Sequence, residues 1–149
     1  MIVQELMSTD LVTLDEDQDF TEANQIMKLE RVRHLPVVKR GRELVGLVTH
    51  RDLLGAQTTL LLMLRDNDGD EERAVSVSVK DVMSEALLTC SPTAPIDDAA
   101  RMMIDAKVGC MLVLEGPDLV GILTETDIMA WAVEVMAKMR FETEPPPAG

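Results

Sequence analysis

Short apolar runs alternate with segments whose apolar residues fall three and four apart, and the whole alternation occurs twice along the chain. In the first half, Leu11 to Leu14 reads as a short strand. An Asp-rich turn follows, and then Ala23, Ile26 and Met27 at the spacing of one helical face. Leu35-Pro36-Val37-Val38 and Leu44 to Val48 read as two strands joined by the turn Lys39-Arg40-Gly41-Arg42, and a second helix is predicted to begin at Thr49. The second half repeats the order. Leu87 to Cys90 is the first strand, Ala99, Met102 and Met103 mark the helix, and Met111 to Leu114 and Leu119 to Leu123 flank the turn Glu115-Gly116-Pro117-Asp118. A helix then begins at Thr124. Leu53 to Arg65 is predicted as an apolar linker helix and Ile128 to Met139 as a closing helix.

The halves are also alike residue by residue. Leu6-Met7-Ser8 aligns with Val82-Met83-Ser84, Leu11 and Thr13 with Leu87 and Thr89, and Ala23, Met27, Val32 and Val37 with Ala99, Met103, Val108 and Val113. After a one-residue deletion, Leu44-Val45-Gly46 meets Leu119-Val120-Gly121, Thr49 meets Thr124 and Asp52 meets Asp127. A duplication of this kind decides the architecture. The expected fold class is α/β (α+β): two pseudo-symmetric repeats, each a small three-stranded sheet with two helices, packed sheet to sheet. The expected divisions are 1–65 for the first repeat with its linker helix, 66–78 for an acidic linker, 79–140 for the second repeat and 141–149 for a disordered tail. Asp66 to Glu72 begins like a calcium-binding EF-hand loop. However, Gly69 falls at the fourth position and Val77 at the twelfth, so the segment reads as a solvated loop.

Composition narrows the function. The 149 residues are 46% hydrophobic and 28% charged, as in one folded domain, and only 2% aromatic. The core must therefore be aliphatic, with eleven Met as filler, and stacking platforms for single strands are lacking. A net charge of −13 argues against nucleic acid or an anionic membrane as a general partner, so any anion site has to be local. No run approaches a membrane span and the N-terminus lacks signal-peptide character, which gives a cytoplasmic expectation. Cys90 and Cys110 have no partners at metal spacing and read as reduced thiols; no metal site is expected. No nucleophile–base pattern, phosphate loop or paired carboxylates occur, so the chain is not expected to be an enzyme.

The candidate chemistry lies in Gly46-Leu47-Val48-Thr49-His50-Arg51-Asp52 and Gly121-Ile122-Leu123-Thr124-Glu125-Thr126-Asp127. Thr-x-x-Asp where a strand runs into a helix is a helix cap, the hydroxyl and carboxylate meeting free backbone amides. The same geometry suits a phosphate at the helix N-terminus and a carboxylate that accepts both hydroxyls of a ribose.

With the motif present twice in matching strand–helix settings, the chain from about Val3 to Trp131 resembles the cystathionine-β-synthase-type (CBS) domain family, as a stand-alone pair of repeats. That resemblance implies a regulatory adenine nucleotide (AMP, ADP or ATP) in the cleft between the repeats, with no obligatory cofactor. Asp52 and Asp127 would hold the ribose, with Thr49 and Thr124 beside phosphate. Family members tend to carry basic residues ahead of the second strand, which implicates Arg33 and His34. Arg51 is a further phosphate candidate, and Thr13 and Thr89 complete the ligand-binding set. Gly109 and Cys110 replace Arg33 and His34 in the second half, which favours one nucleotide per chain. A homodimer acting on a regulated protein partner is expected. S-adenosylmethionine is the alternative ligand, and a purely structural dimerisation module the alternative role.

Overall fold

The computed structural model describes residues 1–66, 77–143 and 148. The acidic segment 67–72 and the prolines 145–147 lie outside the described residues. Two compact units are present. One comprises Leu11–Leu87 with Gly116–Leu119, the other Met1–Asp10, Leu88–Glu115 and Val120–Gly149. Each is a mixed α/β body with its own core.

In the first unit, β1 (Leu14–Asp15) runs parallel to β2 (His34–Lys39), and β2 pairs antiparallel with β3 (Glu43–Thr49). The parallel step needs a crossover, supplied by α1 (Phe20–Glu30). Asp19 caps α1, its carboxylate accepting from the Glu22 amide at 2.8 Å. The helix ends at Arg31, which adopts the left-handed conformation (φ 55°) and donates its backbone N–H to the Met27 carbonyl. Such a C-cap favours glycine, so a non-glycine residue there is a local cost. Leu35 to Val38 are all buried because β2 is the central strand, which explains an unbroken apolar run where an edge strand would alternate. Leu14, Ala23, Met27, Leu35, Val37, Val48, Leu53 and Val79 form the core.

The second unit repeats this arrangement. β4 (Thr89–Cys90) runs parallel to β5 (Cys110–Glu115), with β6 (Asp118–Thr124) next in order, and α4 (Ile96–Ala106) makes the crossover. Lys107 ends α4 in the same left-handed conformation as Arg31. Its core is Val3, Ile96, Ala99, Met103, Met111, Val113 and Leu123.

Three boundaries differ from the sequence expectation. Only Leu14–Asp15 and Thr89–Cys90 of the first strands form strand, and the residues before them are half-buried, with Leu88 still accepting from the Leu112 amide at 3.0 Å. The apolar linker helix is the continuation of the second helix: α2 runs unbroken from His50 to Asp66. α5 (Glu125–Thr143) extends three residues into the segment assigned to a tail, because no glycine or proline interrupts it before Pro145. No helix among the described residues is long and apolar enough to cross a membrane.

Two short elements escaped the periodicity, a 3-10 turn at Val3–Glu5 and α3 (Val79–Val82). Each leads into a segment that lies on the strand of the opposite repeat. Ser8 exchanges backbone hydrogen bonds with Ile122 (2.9 and 3.0 Å), and Ser84 does so with Leu47 (2.9 and 3.0 Å). The preceding methionine then lies directly on the strand glycine. A Cβ on Gly46 would meet Sδ of Met83, with Cγ at 2.8 Å, and one on Gly121 would meet Sδ of Met7, with Cγ at 3.0 Å. Met7 and Met83 are thus packing residues, and the two strand glycines exist to admit them.

Gly46→Ala is therefore expected to destabilise the protein by about 1–3 kcal/mol in urea unfolding, as overpacking does. Adding Met83→Ala should recover part of that loss, so the two changes should be non-additive in a double-mutant cycle. Additivity of the two would contradict the contact.

Candidate functional site

Each strand glycine leads, three residues on, to a threonine that ends the strand and caps a helix. In the first unit the Thr49 amide donates to Asp52 Oδ2 at 2.8 Å, and the Asp52 amide donates to Thr49 Oγ1 at 3.2 Å. In the second, the Thr124 amide and hydroxyl both donate to Asp127 Oδ2, at 2.8 and 2.9 Å, and the Asp127 amide donates to Thr124 Oγ1 at 3.3 Å. These are reciprocal caps, and they satisfy amides that the first helical turn would leave unpaired. Oδ1 of Asp52 and of Asp127 accepts no hydrogen bond from the described residues. Both aspartates are half-buried rather than enclosed. Each cap therefore orients a carboxylate with one oxygen committed to the helix and one still able to accept.

The remaining candidates fall into two groups. His34 is the register partner of Thr49 across the β2–β3 ladder, so the two side chains lie on the same face of the sheet. His34 is half-buried and engaged in an interaction of its own. Arg33 immediately precedes β2 and is exposed; together with Lys28, Arg31 and His50 it lines a cleft of about 340 Å³ at the C-terminal end of α1. Arg33 is held there by its carbonyl, which accepts from the His50 amide at 2.9 Å. Arg51 is exposed in the first turn of α2. Thr13 is half-buried just ahead of β1 and Thr89 opens β4; no hydrogen bond joins either to the caps among the described residues.

The sequence paired Arg33 with His34 and passed over Lys28, Arg31 and His50. A signal was available in the repeat alignment, where Lys28 meets Ile104 and His50 meets Glu125. A position that is cationic in one copy and apolar or acidic in the other is not held by the shared fold.

The second unit differs chemically at the position of His34. Cys110 is buried there, and burial pushes its thiol up to about 12, with the negative charge of Glu125 adding to the shift. The Glu125 amide donates to the Gly109 carbonyl at 3.0 Å, the counterpart of the His50–Arg33 bond. Burial also raises the Cys90 thiol. The folded state resists ionising Cys110, so this thiol's contribution to stability is intact below pH ~9 and is lost progressively as the pH rises toward 12. At pH 8 a thiol reagent should modify Cys90 first, and Cys110 only on unfolding. Rapid modification of Cys110 in the folded protein would contradict this placement.

The model of the CBS domain matches twice, over residues 3–58 and 79–134. A CBS domain-containing protein of Dictyostelium discoideum is 28% identical over 137 residues, covering 91% of this chain and 94% of its own length. CBS domain-containing protein YhcV of Bacillus subtilis (strain 168) is 29% identical over 126 residues, covering 85% and 81%. Among solved structures, CBSX2 in complex with AMP aligns with a TM-score of 0.74 at 25% identity, covering 91% of this chain and 98% of that one. With both repeats matched and the duplicated caps in place, the chain belongs to the CBS-domain family, as a pair of CBS repeats.

Proposed function

We propose that the chain is a non-catalytic regulatory module that binds an adenine nucleotide and passes the resulting change in conformational preference to a partner protein. The observation that carries this reading is the twin cap, in which Asp52 and Asp127 each keep one carboxylate oxygen uncommitted beside a helix N-terminus. A ribose offers two neighbouring hydroxyls to such an oxygen, and the positive end of the helix dipole favours the phosphate that follows. The similarity to CBSX2, whose structure contains AMP, supports the same ligand class.

The first unit is the better equipped, with the ribose on Asp52 and phosphate near Thr49 and His34. The second offers Asp127 and Thr124 beside a buried thiol, a poor phosphate neighbour. One nucleotide per chain follows. A ligand binding one relative arrangement of the repeats better than another shifts that equilibrium by its differential affinity, and a partner that reads the arrangement receives the signal. Homodimerisation belongs to the same proposal: Met129, Val133, Met136 and Met139 on α5 are exposed at helical spacing.

Calorimetric titration with AMP should give one site per chain. Asp52→Ala should weaken binding by roughly tenfold or more, as loss of a charge-assisted acceptor does, and Asp127→Ala should have little effect. Because Asp52 also caps α2, Asp52→Asn provides a control that keeps a cap acceptor at that position. Absence of binding by AMP, ADP and ATP alike would end the nucleotide reading.

A further inference from the structure

The caps leave one concentration of charge unused. Lys28 and Arg31 from α1, Arg33 from the approach to β2, and His50 from the start of α2 line one cleft, and Asn24, Met27 and Val32 complete its wall. No carboxylate lines it, although the chain carries 27 Asp and Glu against 14 Lys and Arg. An ordinary surface hollow in so acidic a protein would be lined by more acids than bases. The described ion pairs are Lys39–Glu43 and Arg101–Asp97, so none of these four side chains is neutralised by a described carboxylate.

Helix polarity explains part of the cluster and not the rest. Cations near the C-terminal end of α1 are favoured by its dipole, which accounts for Lys28 and Arg31. Arg33 and His50 belong to other elements and have no such reason to converge there. Duplication sharpens the contrast, because the corresponding residues of the second repeat are Ile104, Lys107, Gly109 and Glu125, and Ile104 is 72% exposed. One copy of the fold has thus gathered positive charge where the other has one cation and one acid.

We infer that this cleft is a second anion site, specific to the first repeat, for a small phosphoryl anion of the pyrophosphate type. Its volume of about 340 Å³ lies at the low end of small-molecule sites, which run from about 300 to 1,000 Å³. Three permanent cations suit an anion of several charges better than a monoanion, and the two arginines can each grip two oxygens. The site is separate from the ribose carboxylate. His50 and Asp52 are two residues apart on α2 and project about 200° from one another around its axis.

The test is titration of the full-length chain with sodium pyrophosphate and, separately, with inorganic phosphate and AMP. Pyrophosphate should bind one to one, roughly tenfold or more tightly than phosphate, and more weakly as salt is raised. Lys28→Gln combined with Arg31→Gly should abolish that binding while leaving AMP binding intact. Both positions are exposed, and glycine suits the Arg31 backbone, so folding should be preserved; Arg33→Gln provides an independent single change with the same expected loss of pyrophosphate binding. Lys80→Gln with Lys138→Gln removes two charges elsewhere and should change nothing. No pyrophosphate binding, equal loss in the distant variant, or competition between AMP and pyrophosphate for one site would each overturn the inference. AMP binding is read in its own arm, so the nucleotide proposal stands or falls separately.

Discussion

The candidate site depends on a single close contact, made twice: a methionine side chain lying on a strand glycine where any Cβ would collide with it. Because interiors are packed to near-crystalline density, an approach this close fixes the register between strand and entry segment with little slack. The hydrogen-bond pairs Ser84–Leu47 and Ser8–Ile122 lock that register one residue further on. Two residues later the strand ends at Thr49 or Thr124, and the cap carboxylate follows at the third helical position. The placement of each aspartate is thus inherited from a packing contact on the strand before it. The contact also accounts for the composition of the two units, since the segment bearing each methionine clusters with the repeat it touches rather than the one it precedes.

In the proposed function, folding and ligand binding draw on the same groups in these caps. A reciprocal threonine–aspartate cap stabilises a helix by about 1 kcal/mol through the hydroxyl alone. It also immobilises a carboxylate at the positive end of a dipole. A free aspartate on a loop would have to be ordered when a ligand arrives, and that ordering costs roughly 0.5–1.5 kcal/mol for each immobilised side chain. The cap meets this cost during folding, so a hydroxylated ligand meets a preset acceptor. Helix capping and ligand binding are therefore complementary explanations of Thr-x-x-Asp, one using Oδ2 and the other Oδ1.

Much of this was legible from residue order. The duplication, the α/β class, the central strands and both helix starts follow from apolar spacing and from the repeat alignment, because burial and helical period leave a direct trace in sequence. The crossing of the entry segments left almost none. Leu6-Met7-Ser8 and Val82-Met83-Ser84 are visible as a match, but nothing in a pattern tells which repeat a short turn will lie upon. The strand glycines were read as part of a nucleotide motif, and their steric reason appears only when the methionine is placed. The cationic cleft was half visible: Arg33 was noticed as a basic residue ahead of the second strand, whereas Lys28 belongs to α1 and His50 to α2, and they line one cleft with Arg33 only once these elements are folded.

Duplicated folds begin as equals, so the differences between their copies carry information that the shared features do not. Here the scaffold is kept in both halves, down to the left-handed C-caps at Arg31 and Lys107 and the matching amide-to-carbonyl bonds of His50 and Glu125. Charge is not kept. The first copy has Arg33, His34 and His50 where the second has Gly109, Cys110 and Glu125, and burial, with a smaller contribution from the negative charge of Glu125, raises the thiol of the second. Since the backbone geometry is preserved on both sides, folding requirements do not account for this divergence. Electrostatics does: in a chain of net charge −13, an anion can be held only where local cations outweigh the surrounding field, and the first repeat is where they have been assembled.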